Sequence, residues 1–387
     1  MRPLSQSAKH LVGQPMFAFL AEIKKRERQG EKIIHFEIGD PHFDTPAPVV
    51  AAAKKSLDSG ETHYTDSKGL WDLRQEITSY AKAEWGFKPK VEQVVVSPAN
   101  AIIDFVVRAV ANPGDEVLYP DPGFPTYHAV CSYAGVKGVP VPLKEENGFR
   151  MNIEDVRSRV SKRTRLIIIN SPENPTGAVL SHNDVRELYK IAEEYDCFIL
   201  SDEVYRRLAE TDIPSPSSFD RCQKRTIILY SFSKTYAMSG WRLGFAIGPE
   251  EVASKIGLML ETIISCLPAF IQRGGIAALR LPKRILEERK KELARRKKAI
   301  VYGLNSLPGV SCGEPEGAFY VFANIRGTGL SSVAFRDYIL EKAGVALLQG
   351  TAFGNFGEGF VRLSFASTPV PVINKAIAAM KKVLNEK

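Results

Sequence analysis

The stretch TIILYSFSKTYAMSGWRLGFAIG, residues 226–248, joins two apolar strands through a polar loop. Its first strand, 226–232, is apolar at consecutive rather than alternating positions, the pattern of a strand covered on both faces. Comparable runs lie at 94–97, 116–120, 166–170 and 198–202, and the second strand of the stretch covers 244–248. Helical patterns separate them. Ala101, Ile102, Phe105, Val106, Ala109 and Val110 follow three-and-four spacing. Ser181 and Asp184 form a capping-box signature for a helix running through Tyr195, and Pro249 opens the next helix. Strand–helix alternation of this kind predicts a mostly parallel α/β sheet with helices on both faces.

The chain ends read differently. Residues 17–28 form an amphipathic helical pattern, followed by a short strand at 33–38. Beyond a basic segment, KRILEERKKELARRKK at 283–298, come strand-like 319–325, a helix near 332–342, strands at 345–349 and 361–366, and a terminal helix. Fewer strands and segregated helices predict a smaller α+β domain built from both ends, residues 1–47 and 282–387, beside a large domain at 48–281.

With 387 residues the chain can bury a core without disulfide staples. Apolar residues at 44% and charged residues at 25% exclude disorder and collagen-like structure for the whole. No uncharged stretch is long enough for a membrane helix, and MRPLSQSAKH lacks the apolar core of a secretory signal, so a cytoplasmic protein is expected. The charge of +8, from 52 basic and 44 acidic residues, is concentrated in the 283–298 segment. Mixed signs and scattered apolar residues there predict a helix with a solvated face rather than a nucleic-acid surface. Cys131, Cys197, Cys222, Cys266 and Cys312 are widely spaced, as are the six histidines, and neither set has the spacing of a metal site or a disulfide framework.

Ligands of parallel sheets bind beyond the carboxyl ends of the strands. The 226–232 strand leads into Ser231, Ser233 and Lys234, with Arg242 eight residues further on. Alone, Lys234 would be a surface lysine. Hydroxyls and an arginine around it make a phosphate cradle, and a lysine beside an anion site suits a Schiff-base amine. Asp202 ends an apolar strand, where a carboxylate needs a partner. That partner is a helix cap, an ion pair or a protonated heterocycle, with Tyr205 three residues on. The Asn174-Pro175-Thr176-Gly177 turn follows the 166–170 strand and leaves the Asn174 amide available to a ligand oxygen.

Together these segments resemble the class I/II aminotransferases, pyridoxal-phosphate enzymes of fold type I. The resemblance runs through FEIGDPHFDTP (36–46), YTDSKGLWDLR (64–74), PGDEVLYPDPGFPTY (113–127), NPTG, SDEVY, SFSK…GWRLG and VRLSFA (361–366). It implies a seven-stranded, mostly parallel sheet in the large domain and pyridoxal 5'-phosphate as cofactor. By position, Lys234 resembles the lysine that holds the cofactor as an internal aldimine, and Asp202 the partner of its pyridine nitrogen. Asn174 and Tyr205 match the donors to its phenolic oxygen, and Phe124 the aromatic that stacks on the ring. The phosphate cradle implied is Ser231, Ser233, Arg242 and the amides of Ala99 and Asn100 at a helix N-terminus. Here the sequence departs from its relatives: Ser97-Pro98-Ala99-Asn100 replaces a glycine-bearing turn, and Pro98 has no N–H to give. Tyr64 matches a tyrosine that reaches the neighbouring subunit's phosphate, which implies a homodimer; an ordinary half-buried tyrosine is its other reading. Arg362 matches the fork onto the substrate α-carboxylate, although strand alternation also permits an outward-facing residue. Gly39 matches a backbone contact near the same carboxylate.

The implied reaction is amino transfer between an L-amino acid and a 2-oxo acid in two half-reactions, glutamate and 2-oxoglutarate forming one pair. A C–S or β-lyase, or a cyclising synthase, would keep the same residues. A cofactor-dependent transcription regulator would need an added DNA-binding domain, for which there is no room before residue 30. A dicarboxylic substrate needs a second cation, and between residues 91 and 136 that could only be Arg108, which also sits one helical turn from Asp104.

Overall fold

The computed structural model describes residues 2–9, 11 and 13–386. One sheet contains seven strands: β1 (Val94–Ser97), β2 (Glu116–Asp121), β3 (Lys137–Pro142), β4 (Thr164–Asn170), β5 (Phe198–Asp202), β6 (Thr226–Ser231) and β7 (Gly244–Ile247). Their spatial order is β1-β7-β6-β5-β4-β2-β3. Only β7 runs against its neighbours; every other pairing is parallel. Five of these strands end in polar residues that gather at one edge: Ser97, Asp121, Asn170, Asp202 and Ser231. The reversed β7 starts at that same edge, because Gly244 pairs with both Ser97 and Ser231.

Burial on both faces explains the unbroken apolar runs. In β6, Ile227 and Leu229 pack with Ile102, Val106, Ile256 and Leu260 on one side. Ile228 and Tyr230 pack with Leu73, Ile77 and Ile276 on the other. The helix His182–Glu194 carries the expected capping box: the Ser181 hydroxyl accepts from the Asp184 N–H at 3.1 Å, and the Asp184 carboxylate accepts from the Ser181 N–H at 2.8 Å.

β3 was not among the expected strands. Its sequence, KGVPVP, is interrupted by two prolines and a glycine, and a strand can carry these because it sits at the sheet edge, pairing only with β2. The strand expected at 345–349 is two. Val345–Ala346 pairs parallel with Ile34–His35, whereas β9 (Leu348–Gln349) joins a separate antiparallel sheet with β10 (Phe360–Ser364) and β8 (Tyr320–Asn324), in the order β9-β10-β8. The 33–38 strand also pairs as a strand only at Ile34–His35. Its next residue bridges the two sheets, the Phe36 N–H donating to Ala346 O at 2.9 Å and Phe36 O accepting from the Ser364 N–H at 2.8 Å.

The basic segment lies in a 22-residue helix, Lys283–Leu304. A solvated face is present, but Arg296 and Lys297 do not belong to it, being only 1% and 6% exposed. Arg296 donates to Glu292 at 2.9 Å and to the Ala366 carbonyl at 2.6 Å, and lies over the Phe43 ring. Lys297 pairs with Glu210 at 2.8 Å and Glu314 at 3.0 Å. These two charges anchor the helix instead of facing water. Among the described residues, no helix is long and apolar enough to cross a membrane.

Candidate active site

The polar edge of the large sheet opens into a cavity of about 540 Å³. It is bordered by Gly39, Ala99, Asn100, Phe124, Asn174, Asp202, Tyr205, Ser231, Ser233, Lys234, Arg242 and Arg362. Of the residues singled out from sequence for the cofactor and the α-carboxylate, the structure thus brings together all but Tyr64, which is 88% exposed and outside this chain's cavity. A larger groove lies between the helices Ala47–Asp58, Trp71–Trp85 and Ala269–Leu279. Its arginines are satisfied locally, Arg273 by Glu61 and Asp72 and Arg280 by Glu76, and it presents no comparable convergence of groups.

Lys234 emerges just after β6. The Ser231 hydroxyl accepts from the Ser233 N–H at 3.1 Å and starts a single helical turn, Phe232–Thr235, that carries the lysine into the cavity. Its amine donates to Gly39 O at 2.6 Å and sits 5.8 Å from the Phe319 ring centre. Burial lowers its pKa to about 8, with Arg362 and Arg242 adding to the effect and Asp40 opposing it. A neutral, nucleophilic amine is therefore accessible at mild pH.

Asp202 at the end of β5 is buried, and its partner is Tyr127, whose hydroxyl donates at 2.7 Å. The Val204 N–H donates to its other oxygen at 3.3 Å. Burial raises the Asp202 pKa to about 6 despite these two donors. A cation placed beside it would favour the ionised form. Phe124 borders the cavity and meets Tyr127 edge to face at 5.7 Å.

Arg362 lies in β10 with 1% exposure, so the alternation of that strand directs its side chain inward. The guanidinium lies near the Tyr320 and Phe353 rings, at 4.5 and 4.6 Å from their centres. It donates to Asn174 Oδ1 at 3.1 Å and to Glu37 O at 2.5 Å. Among the described residues its buried Nε has no partner, a donor left for an oxyanion. Asn174 is itself fixed by its N–H donating to Asn170 Oδ1 at 2.9 Å.

Tyr205 is buried, and its hydroxyl pairs with that of Tyr320 at 2.8 Å. Burial, then proximity to Tyr320, pushes its pKa well up, so the phenol stays a protonated donor. Tyr320 also explains Gly39: a Cβ there would lie 2.0 Å from the Tyr320 hydroxyl. Tyr127 and Tyr320 were not singled out from the sequence. The first stands in the quoted GFPTY segment, three residues after Phe124; the second is one aromatic among several in a strand and carries no separate signal.

The Pro98 turn leads straight into the helix Ala99–Val110. The N–H groups of Ala101 and Ile102 donate to Pro98 O at 3.0 and 3.2 Å, while Ala99 and Asn100 border the cavity. Arg242 adopts a left-handed backbone, φ 55°, and donates to Ser239 O at 2.7 Å. Arg108 is elsewhere: it pairs with Asp104 at 2.8 Å and lies over Tyr133, outside the cavity.

A family model for class I and II aminotransferases matches residues 31–380. The chain is 40% identical over 367 residues to an aspartate aminotransferase of Pyrococcus horikoshii, covering 94% of this chain and 93% of that one. It is 39% identical over 363 residues to an aromatic-amino-acid aminotransferase of Thermococcus litoralis, covering 92% and 93%. The solved alanine aminotransferase of Pyrococcus furiosus superposes with a TM-score of 0.94 at 31% identity, each chain covered completely. The chain belongs to the class I and II aminotransferases, with their fold-type-I architecture. It is an aminotransferase, in a family that is generally pyridoxal-phosphate dependent.

Proposed function

We propose that this aminotransferase carries pyridoxal 5'-phosphate on Lys234 and exchanges an amino group between an L-amino acid and a 2-oxo acid, with glutamate and 2-oxoglutarate as one pair. The observation that carries this reading is a lysine amine of lowered pKa in one cavity with a buried carboxylate, Asp202, and a buried arginine with an unfilled donor, Arg362. The residues fit the cofactor. Ser231, Ser233, Arg242 and the Ala99 and Asn100 amides offer donors and positive charge for a phosphate. Asp202 suits a protonated ring nitrogen, Asn174 and Tyr205 suit a phenolic oxygen, and Phe124 supplies an aromatic wall.

When bound, the cofactor supplies an electron sink for the pair released at the substrate Cα. The protein does the rest. Arg362 grips the α-carboxylate, with Gly39 leaving room beside it. Lys234 would hold the cofactor, and its amine would take the proton from the substrate Cα and give it back in the course of the transfer. Asp202 holds the ring nitrogen proton in place through both half-reactions, itself held by Tyr127.

The same reading places the chain in a homodimer, with Tyr64 completing the neighbouring phosphate site. Its support is a group of exposed apolar residues: Tyr64, Leu258, Ile263 and Ile264 are exposed, and the Thr65 N–H and hydroxyl donate to Cys266 Sγ and Leu267 O, both at 3.3 Å, which holds Tyr64 beside the end of the helix Glu250–Ile264. Residues 48–281 form the large domain, and 1–47 with 282–387 the small one. One apolar cluster lies wholly within the large part and another mostly within the small one, joined there by Tyr205, which supports the division. All five cysteines are unpaired, which suits a cytoplasmic enzyme.

The test is an absorption titration. Protein reconstituted with pyridoxal 5'-phosphate should show a visible band that glutamate moves to the near ultraviolet and 2-oxoglutarate restores. Release of ammonia and pyruvate without this shuttling would assign a lyase instead.

A further inference from the structure

Beside Arg362 lies a buried acid that the amino-transfer chemistry does not use. Glu37 is fully buried, and its backbone carbonyl accepts from the Arg362 guanidinium. Its Oε1 meets His35 Nδ1 at 2.8 Å, while its buried Oε2 has no partner among the described residues. Arg362 Nε is the counterpart of opposite sign, a buried donor likewise without a partner there. The Glu37 carboxylate lies close enough for its charge to act on Arg362. Burial lowers the Arg362 pKa, and Tyr320, Tyr205 and Glu37 oppose that fall.

His35 engages Glu37 from the other side. Its second ring nitrogen, Nε2, meets the Glu27 carboxylate at 2.9 Å, in the last turn of the helix Pro15–Arg28. Ionised carboxylates only accept, so two ring nitrogens that each meet one must both carry protons, and the ring is an imidazolium. The hydrogen bond to Glu37 raises the His35 pKa to about 9, with Glu27 adding to the rise and burial opposing it. The other elements around His35 bring the apolar Val345 and Ala346 of the paired strand and the Thr368 hydroxyl, which donates to His35 O at 2.8 Å. Arg26, on the same helix as Glu27, pairs with Glu31 and Glu341.

We propose that His35 is a positioning residue for substrate binding: as a cation clamped between Glu27 and Glu37, it balances the buried Glu37 charge and leaves Arg362 free for the substrate α-carboxylate. Without the His35 charge, Glu37 stands as an uncompensated anion beside Arg362 and competes with the substrate for it. The inference rests on the proposed function, which gives Arg362 the α-carboxylate. The His35 proton leaves as pH rises through about 9, so carboxylate binding is strongest below that pH and falls above it.

Calorimetry on the reconstituted holoenzyme tests this with an amine-free probe, 3-phenylpropionate or maleate. Near neutral pH, His35→Gln should bind the probe about fivefold to tenfold more weakly than wild type, the scale of one charge acting at short range inside a protein. The two should converge above about pH 10, where wild type has lost the same charge. Lys234 and the other titrating groups are common to both proteins, so the difference isolates His35. In His35→Gln/Glu37→Gln the competing anion is gone as well, and binding should return to within about twofold of wild type. Equal binding by wild type and His35→Gln near neutral pH, or a double variant no better than His35→Gln, would overturn the inference. If His35→Gln does not fold, Glu37→Gln decides: it should bind as well as wild type and lose the fall through about pH 9, and an unchanged fall overturns the inference. Arg362→Gln separates this failure from that of the proposed function. If that variant binds the probe as tightly as wild type, Arg362 is not the carboxylate's partner and both readings fall; if it does not, and His35 has no effect, the inference falls alone.

Discussion

Lys234 has the clearest chemical signature of any single residue. Its amine is neutral above about pH 8, because burial and two arginines disfavour the charge. Covalent loading of apoprotein with pyridoxal 5'-phosphate should therefore accelerate about tenfold per pH unit up to that point and level off above it, as one protonation equilibrium dictates. Stopped-flow absorbance measures this directly; a rate still rising tenfold between pH 9 and 10 would show an ordinary, unperturbed lysine. Gly39 makes a second prediction. In Gly39→Ala the new methyl meets the Tyr320 hydroxyl, so Tyr320 must move and its bond to Tyr205 must break. We expect a loss of about 1–3 kcal/mol in denaturant unfolding, the usual cost of overpacking, together with a raised KM for the amino acid. Unchanged stability and KM would mean that the ring has free space. Lys234 and Asp202 were legible in the sequence because each is a charged residue at the end of an apolar strand, where charge needs a reason. Tyr320 was not, since an aromatic inside FYVFANI reads as core, and only its approach to Gly39, far away in the chain, sets it apart.

At the scale of elements, the strands readable from sequence were those buried on both faces, whose apolar runs need no tertiary information. β3 escaped because an edge strand tolerates Pro140 and Pro142, and the 345–349 segment changed partners midway, which only the folded chain specifies. The Lys283–Leu304 helix carries a related lesson. Its charges look alike in sequence, yet Arg296 is buried against Ala366, two residues past β10, the strand that holds Arg362. Arg296→Met should leave the buried Ala366 carbonyl without this donor and cost about 1–3 kcal/mol in denaturant unfolding. Arg295→Met, one position away on the solvated face, should change stability by less than about 0.5 kcal/mol. Equal effects from the two substitutions would deny Arg296 its anchoring role.

The whole molecule places one sheet's polar edge against a second, smaller sheet, so that Lys234 and Asp202 come from one and Arg362 from the other. The groups that border the cavity come from a single chain, and Tyr64 is the one residue proposed to act from a second copy. We expect sedimentation to give twice the chain mass, and Tyr64→Ala to leave that mass unchanged while weakening cofactor binding about tenfold, the value of one lost hydrogen bond to a charged group. Unaltered cofactor affinity would return Tyr64 to the role of an ordinary surface residue. The central claim concerns Lys234 itself. Reconstituted protein can be reduced with borohydride, which fixes the cofactor to its lysine as a stable secondary amine, then digested and sequenced by mass spectrometry. The phosphopyridoxyl mass is predicted on Lys234, in stoichiometric yield. Its appearance on another lysine, or on several in comparable amounts, would contradict the assignment of the site.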